Sequence, residues 1–199
     1  MKRSIIVLTM AMMVLSISLF AENSFDETMN KITVEYLKIK DTLVNDKTEN
    51  VNENAKAILM LSKKLDSSKV MGEHKDHFKD LPNKISIAAK ELSEAKKIKM
   101  MRAAFNDLSK PMAMWATMMK PTGINVAYCS MNPGSWLQKG KEIRNPYYGA
   151  SMLKCGEIVS EGAAEKHVCT SECKHDEMKE EHNMNMMKDH KCDSNCKHS

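Results

Sequence analysis

An all-α fold is what this sequence predicts: a four-helix bundle, then an irregular Cys/Met/aromatic loop segment, then a disordered Cys/His/Met-rich tail. Three observations carry that expectation. Apolar residues recur at spacings of three and four from Phe25 to Met119, Gly and Pro become frequent after Pro121, and the last forty or so positions almost lack aliphatic residues. At 199 residues, with 42% apolar and 28% charged residues, the chain suits one domain with appendages. The same figures exclude collagen-like, globally disordered and multi-span membrane classes.

The first element is an address. Lys2-Arg3 precedes an apolar run, Ser4–Phe20, and Ala21 is followed by polar and acidic residues. This is the pattern of a secretory signal peptide over residues 1–21, cleaved near Ala21. The competing reading is an uncleaved anchor, but the run sits at the lower limit of about 17 residues for a span. No Cys lies near the cleavage point, which argues against a lipid anchor. The expected product is an exported, periplasmic chain with no stable membrane span after cleavage. Removing Lys2 and Arg3 from the 30 basic residues leaves 28 against 26 acids, too even for a nucleic-acid-binding surface.

The helices follow. Phe25, Met29, Ile32, Tyr36, Ile39 and Leu43 form one stripe, and Asn45-Asp46 is the expected break. Val51, Ala55, Ile58, Leu61 and Leu65 form the second, ended by Asp66-Ser67-Ser68. A third stripe runs Ile85, Ala88, Leu92, Ala95, Ile98, Met101, Phe105 and Leu108, starting near Pro82. Ser109 is the expected cap of a shorter fourth helix, with Pro111 early in it and Met112, Trp115 and Met119 inward. Pro121-Thr122-Gly123 ends it. The Met residues of the helices, Met60, Met101, Met112 and Met118 among them, read as adaptable core filler. Residues 24–158 are thus the bundle domain with its loop segment, in which Trp136, Tyr147 and Tyr148 can pin the irregular part to the helices.

Sulfur is the compositional signature, with 19 Met and 6 Cys against only 5% aromatic residues. The tail, 161–199, holds four of those Cys and too little apolar surface to offset its ordering entropy. It contains a repeat, H-x-C-x-S-x-C-K-H, at 167–175 and 190–198. The first copy supplies His167, Cys169, Cys173 and His175; the second supplies His190, Cys192, Cys196 and His198. Each offers two thiolates and two imidazoles, a donor set that zinc and copper(I) accept. Met178, His182, Met184, Met186 and Met187 lie between the copies, and thioethers favour copper(I) or silver(I) over zinc. The bland alternative is a pair of local disulfides, Cys169–Cys173 and Cys192–Cys196, which leaves the four His without a role. His74 and His77, spaced as H-x-x-H among charged residues, read as solvated surface histidines.

The loop segment carries a second sulfur group. Cys129 and Met131, two apart, share a side if extended; Met152 and Cys155, three apart, are neighbours in one helical turn. Convergence of the four would make a soft site for copper(I) or silver(I). The alternative is a Cys129–Cys155 disulfide, whose loop closure is typically worth about 3 kcal/mol. Spacing leaves the two readings open.

Residues from about 28 to 158 resemble a bacterial family of exported helical domains of unknown function, found alone and appended to adaptor subunits of copper/silver efflux pumps. The matching residues are Arg102, Phe105, Leu108-Ser109 and Met112, then Tyr128-Cys129-Ser130-Met131 and Trp136-Leu137. Asn145-Pro146-Tyr147-Tyr148-Gly149 and Met152-Leu153-x-Cys155-Gly156 complete them. The resemblance implies a metal role for Cys129, Met131, Met152 and Cys155, and an efflux adaptor or pump as partner. It departs where Ser130 replaces the family's usual Pro, and where Glu91, Met100 and Ala104 stand at helical positions that often carry His. The site then leans toward sulfur alone.

No Gly-x-Ser-x-Gly, phosphate-cradling Gly loop or His-Glu-x-x-His is present, so the expectation is a binding protein and not an enzyme. The leading reading is soft-metal capture, copper(I) first and silver(I) or zinc next. The alternative is a redox-responsive exported protein whose Cys pairs form disulfides.

Overall fold

The computed structural model describes residues 25–70, 76–131 and 133–164. The predicted signal peptide and almost all of the tail, with both cassettes and the Met/His run between them, lie outside the described residues. Four α-helices are present among the described residues: α1 (Phe25–Val44), α2 (Val51–Ser62), α3 (Leu81–Glu94) and α4 (Ile98–Met119). They pack in sequence, α1 on α2, α2 on α3 and α3 on α4. None of the described helices is long and apolar enough to cross a membrane.

The stripes become the buried faces. Met29, Ile32, Tyr36, Ile39 and Leu43 of α1 are fully buried, as are Ile58 of α2, Ile85 and Leu92 of α3, and Phe105, Leu108 and Met112 of α4. Burial at this spacing gives each helix one apolar side to place against its neighbours. Met101 also joins the core and Met118 packs against it. Met60 does not: it is 65% exposed. Two positions beyond Ile58, it lies about 200° further round α2 and so faces outward.

Two helix boundaries differ from expectation. The third stripe is interrupted at Ala95 and Lys97, both with extended backbone, so α3 ends at Glu94 and α4 starts at Ile98. Ser109 is not a cap. It lies inside α4, fully buried, with its Oγ 2.6 Å from the Tyr36 hydroxyl. Pro111 is likewise an interior residue of α4, where it removes one helical N–H donor.

The chain is mostly helical but not all-α. The segment expected to be irregular contains a three-stranded antiparallel sheet: β1 (Ile124–Cys129), β2 (Gly134–Lys139) and β3 (Glu157–Ser160), in the order β2-β1-β3. β1 and β2 form a hairpin pairing Ile124 with Lys139 through Cys129 with Gly134. β3 pairs Glu157 with Tyr128 and Ser160 with Val126 along the other edge of β1, with a bulge between Val126 and Ala127. Ile124, Val126 and Tyr128 are the β-branched and aromatic residues such a strand favours.

The hairpin packs on α4, β2 more extensively than β1. Aromatic rings link the layers. Tyr36 lies 4.7 Å from Phe105, Phe105 6.2 Å from Tyr147, and Trp136 meets Tyr147 edge-on at 5.8 Å. Tyr36 also accepts the Leu137 backbone N–H at 3.2 Å, tying α1 directly to β2.

Candidate metal centre

β1 ends at Cys129, whose side chain is fully buried at the core side of the sheet. Cys155 arrives from the other direction. A 3-10 turn, Gly149–Met152, leads through Leu153 and Lys154 to Cys155, which is partly exposed and stands just before β3. The two Sγ atoms are 2.9 Å apart, a thiol–thiol contact and not a disulfide bond. Hydrogen bonding to Cys129, then burial, then the charge of Cys129, hold the Cys155 thiol above its ordinary range. A protonated thiol must lose its proton before it can ligate a cation.

The approach of Cys155 to β1 is built from specific contacts. Asn145, fully buried, donates its backbone N–H to Leu153 O at 2.8 Å and its side-chain amide to Cys155 O at 2.9 Å. Its Oδ1 accepts the Tyr147 N–H at 2.8 Å, closing an Asx turn. Gly156 follows Cys155 with φ +137°, and a Cβ there would lie 2.7 Å from the Trp136 ring and 2.8 Å from Tyr128 O. Glycine is therefore required twice over, by its backbone angle and by the ring above it. Trp136 is fixed in turn by its indole N–H, which donates to Gln138 Oε1 at 2.9 Å.

A second set of contacts anchors the turn that leads to Cys155. Arg102 donates to Leu43 O at 2.9 Å, to Pro146 O at 3.0 Å and to Asp46 Oδ1 at 2.6 Å. Asp46 Oδ2 accepts the Ala150 N–H at 2.9 Å. One guanidinium and one carboxylate thereby join the end of α1, the body of α4 and the 146–150 segment. The Ala150 N–H, then Arg102, hold the Asp46 carboxyl below the usual range.

Met152 and Cys155 do share one turn, since the Cys155 N–H donates to Met152 O at 3.0 Å. Met152 is itself partly exposed. Met131 is placed differently. It lies past the end of β1, in the turn to β2, and is 66% exposed, so the strand alternation expected to put it on the side of Cys129 does not extend to it. Its carbonyl accepts the Tyr148 hydroxyl at 3.4 Å. The structure therefore joins Cys129 with Cys155, keeps Met152 within one turn of Cys155, and leaves Met131 at the surface. Among the described residues no group of three or more His, Cys, Asp or Glu is placed to hold a metal.

Of the three helical positions at which the resemblance raised an expectation of His, Glu91 and Met100 are exposed and Ala104 is buried. His77 lies exposed before α3, and His74 falls outside the described residues. The positioning residues Asn145, Arg102 and Asp46 were not among the expected site residues. Asn145-Pro146-Tyr147-Tyr148-Gly149 was the only signal for the first; Asp46 carried none beyond its place at a helix break.

Residues 32–123 match a family model described as a protein of unknown function, DUF3347. The match covers most of the helical part and stops one residue before β1, so it does not extend to the thiol pair. No curated protein and no solved structure matches the chain.

Proposed function

We propose that this chain is an exported binding protein for soft metal ions, copper(I) first, that sequesters the ion or passes it to a heavy-metal efflux system. One observation carries the reading. Two cysteines 26 positions apart are brought to 2.9 Å by a dedicated buried Asn and a left-handed Gly, beside a Met one turn away. Such a sulfur group suits copper(I) or silver(I) better than zinc. The two tail cassettes supply His167, Cys169, Cys173 and His175, and His190, Cys192, Cys196 and His198. Their spacing repeats the same preference with imidazoles added.

The mechanism is ligand exchange. Thiolates and thioethers hold the ion in few, polarisable bonds, so a partner's sulfur can enter before the first ligand leaves. The protein's part is to bind and orient; no bond of a substrate is broken. Periplasmic location and an efflux adaptor as recipient follow from the signal-like leader and the resemblance in sequence.

The test is a competition titration of the reduced full chain with copper(I) and silver(I) against a chromophoric chelator. We expect high-affinity uptake, with Cys129→Ser or Cys155→Ser removing one class of site and lowering its affinity by more than about 100-fold. That exceeds the usual effect of losing an outer-shell contact. Full uptake by a variant with all six Cys changed to Ser would overturn the proposal.

A further inference from the structure

We infer that Cys129 and Cys155 form a reversible thiol–disulfide couple, with Cys155 the sulfur that meets the oxidant and Cys129 the one that resolves it. The disulfide state withdraws both thiolates from any cation. That consequence rests on the function proposed above; the sulfur chemistry does not.

The geometry stands between two states. Sulfurs in a disulfide lie about 2.05 Å apart. Two thiolates on a tetrahedral ion with metal–sulfur bonds of about 2.3 Å lie about 3.8 Å apart. At 2.9 Å the pair reaches either state by a sulfur displacement of about 1 Å or less. The two carriers differ in freedom. Cys129 belongs to the central strand, which is paired on both edges, and its side chain is fully buried. Cys155 is partly exposed, in the short link between the 3-10 turn and β3, with Gly156 after it. Closing or opening the pair is therefore a movement of the Cys155 side. The same asymmetry sets the order of attack, because an oxidant from solvent reaches only the exposed sulfur.

A low-molecular-weight disulfide is a sufficient oxidant. The Cys155 sulfur attacks it, forming a mixed disulfide and releasing one small thiol. The Cys129 sulfur then attacks the Cys155 sulfur, forming the protein disulfide and releasing the second small thiol. The protein loses two protons and two electrons, and both reappear on the two small thiols. Reduced small thiol drives the sequence backward.

The test uses the full chain carrying Cys169→Ser, Cys173→Ser, Cys192→Ser and Cys196→Ser, so that Cys129 and Cys155 are its thiols. It is treated with oxidised glutathione, quenched with acid, and read by mass spectrometry and peptide mapping. We expect a species two hydrogens lighter with Cys129 linked to Cys155, restored by reduced glutathione. Silver(I) retention should fall by about tenfold or more in the oxidised form. Adding Cys129→Ser should leave a lasting glutathione adduct on Cys155, and adding Cys155→Ser should leave buried Cys129 unmodified. If Cys129→Ser unfolds the chain, Cys129→Ala carries the same readout.

The inference fails if both thiols survive excess oxidised glutathione or if Cys129 is modified as fast as Cys155; a chain that binds silver when reduced and holds it equally well when oxidised overturns the withdrawal of the thiolates from the cation. A couple that forms and reverses in a chain that binds no silver when reduced supports the sulfur chemistry and sinks the metal role of this pair.

Discussion

Glycine at 149 shows how one residue governs the candidate centre. Its φ is +55°, and a Cβ there would overlap the carboxylate of Asp46 and the guanidinium of Arg102. Gly140 also has a positive φ, +68°, but nothing lies within 4 Å of its would-be Cβ. The pair separates backbone strain from collision. Gly140→Ala should destabilise by about 1–2 kcal/mol, the cost of a left-handed alanine. Gly149→Ala should cost about 2–4 kcal/mol, because overlap is added to that strain. Urea unfolding of the two variants measures the difference, and equal losses would remove the Arg102–Asp46 contact from the account. The same contact has a pH signature. The folded carboxyl of Asp46 titrates below its usual range, so its contribution is fully present above that range and is lost as pH falls through the depressed value. Asp46→Asn should therefore flatten the acid limb of the stability curve while leaving the slope above neutral pH unchanged.

At the scale of elements, the end of α3 is decided by another helix. Asn52 of α2 directs its side-chain amide at three carbonyls, Leu92 O at 3.2 Å and Ser93 O and Ala95 O at 2.9 Å. Two amide hydrogens shared among three acceptors satisfy the backbone groups that a helix end leaves unpaired. Asn52→Ala should cost about 1–3 kcal/mol and loosen the α3–α4 connection. Hydrogen exchange at residues 92–98 would show faster opening, and unchanged protection would place the stop elsewhere. This explains why the break was not legible. Leu92, Ala95 and Ile98 keep helical phase straight through it, and the residue that ends the helix is 40 positions away. Ser109 misled for the related reason that its hydroxyl serves Tyr36, 73 positions away, and not its own helix. β1 was missed because Ile124, Asn125, Val126, Ala127 and Cys129 are all buried, so it lacks the alternation that marks a half-exposed strand.

On the scale of the whole molecule, the helices serve as a platform for the sheet, and the sheet carries the thiol pair at one end and the root of the tail at the other. Ala163 O accepts the Gly123 N–H and the Ala163 N–H donates to Lys120 O, each at 3.1 Å. The Gly162 N–H donates to Asn125 Oδ1 at 3.1 Å. Contacts with the sheet thus continue past the composition shift at residue 161, as far as Ala163 at least. A chain ending at Ala164 should keep its thermal stability and the Cys129–Cys155 pair while losing both cassettes. Its copper(I) stoichiometry should drop to what the pair alone can hold, measured by elemental analysis after gel filtration. A chain ending at Ser160 also loses the contacts of Gly162 and Ala163, and should unfold at a lower temperature.

The amino-acid sequence alone determined the four apolar stripes, their rough extents and the sulfur-rich character, because helical burial is periodic and local, and composition survives without a fold. The tertiary structure decided which stripe breaks where, that a sheet follows the helices, and that Cys129 meets Cys155 while Met131 turns outward. Those outcomes depend on side chains 10 to 73 positions from the groups they hold, Asn52, Tyr36, Asn145 and Arg102. Their side chains act across space, and no local pattern announces them.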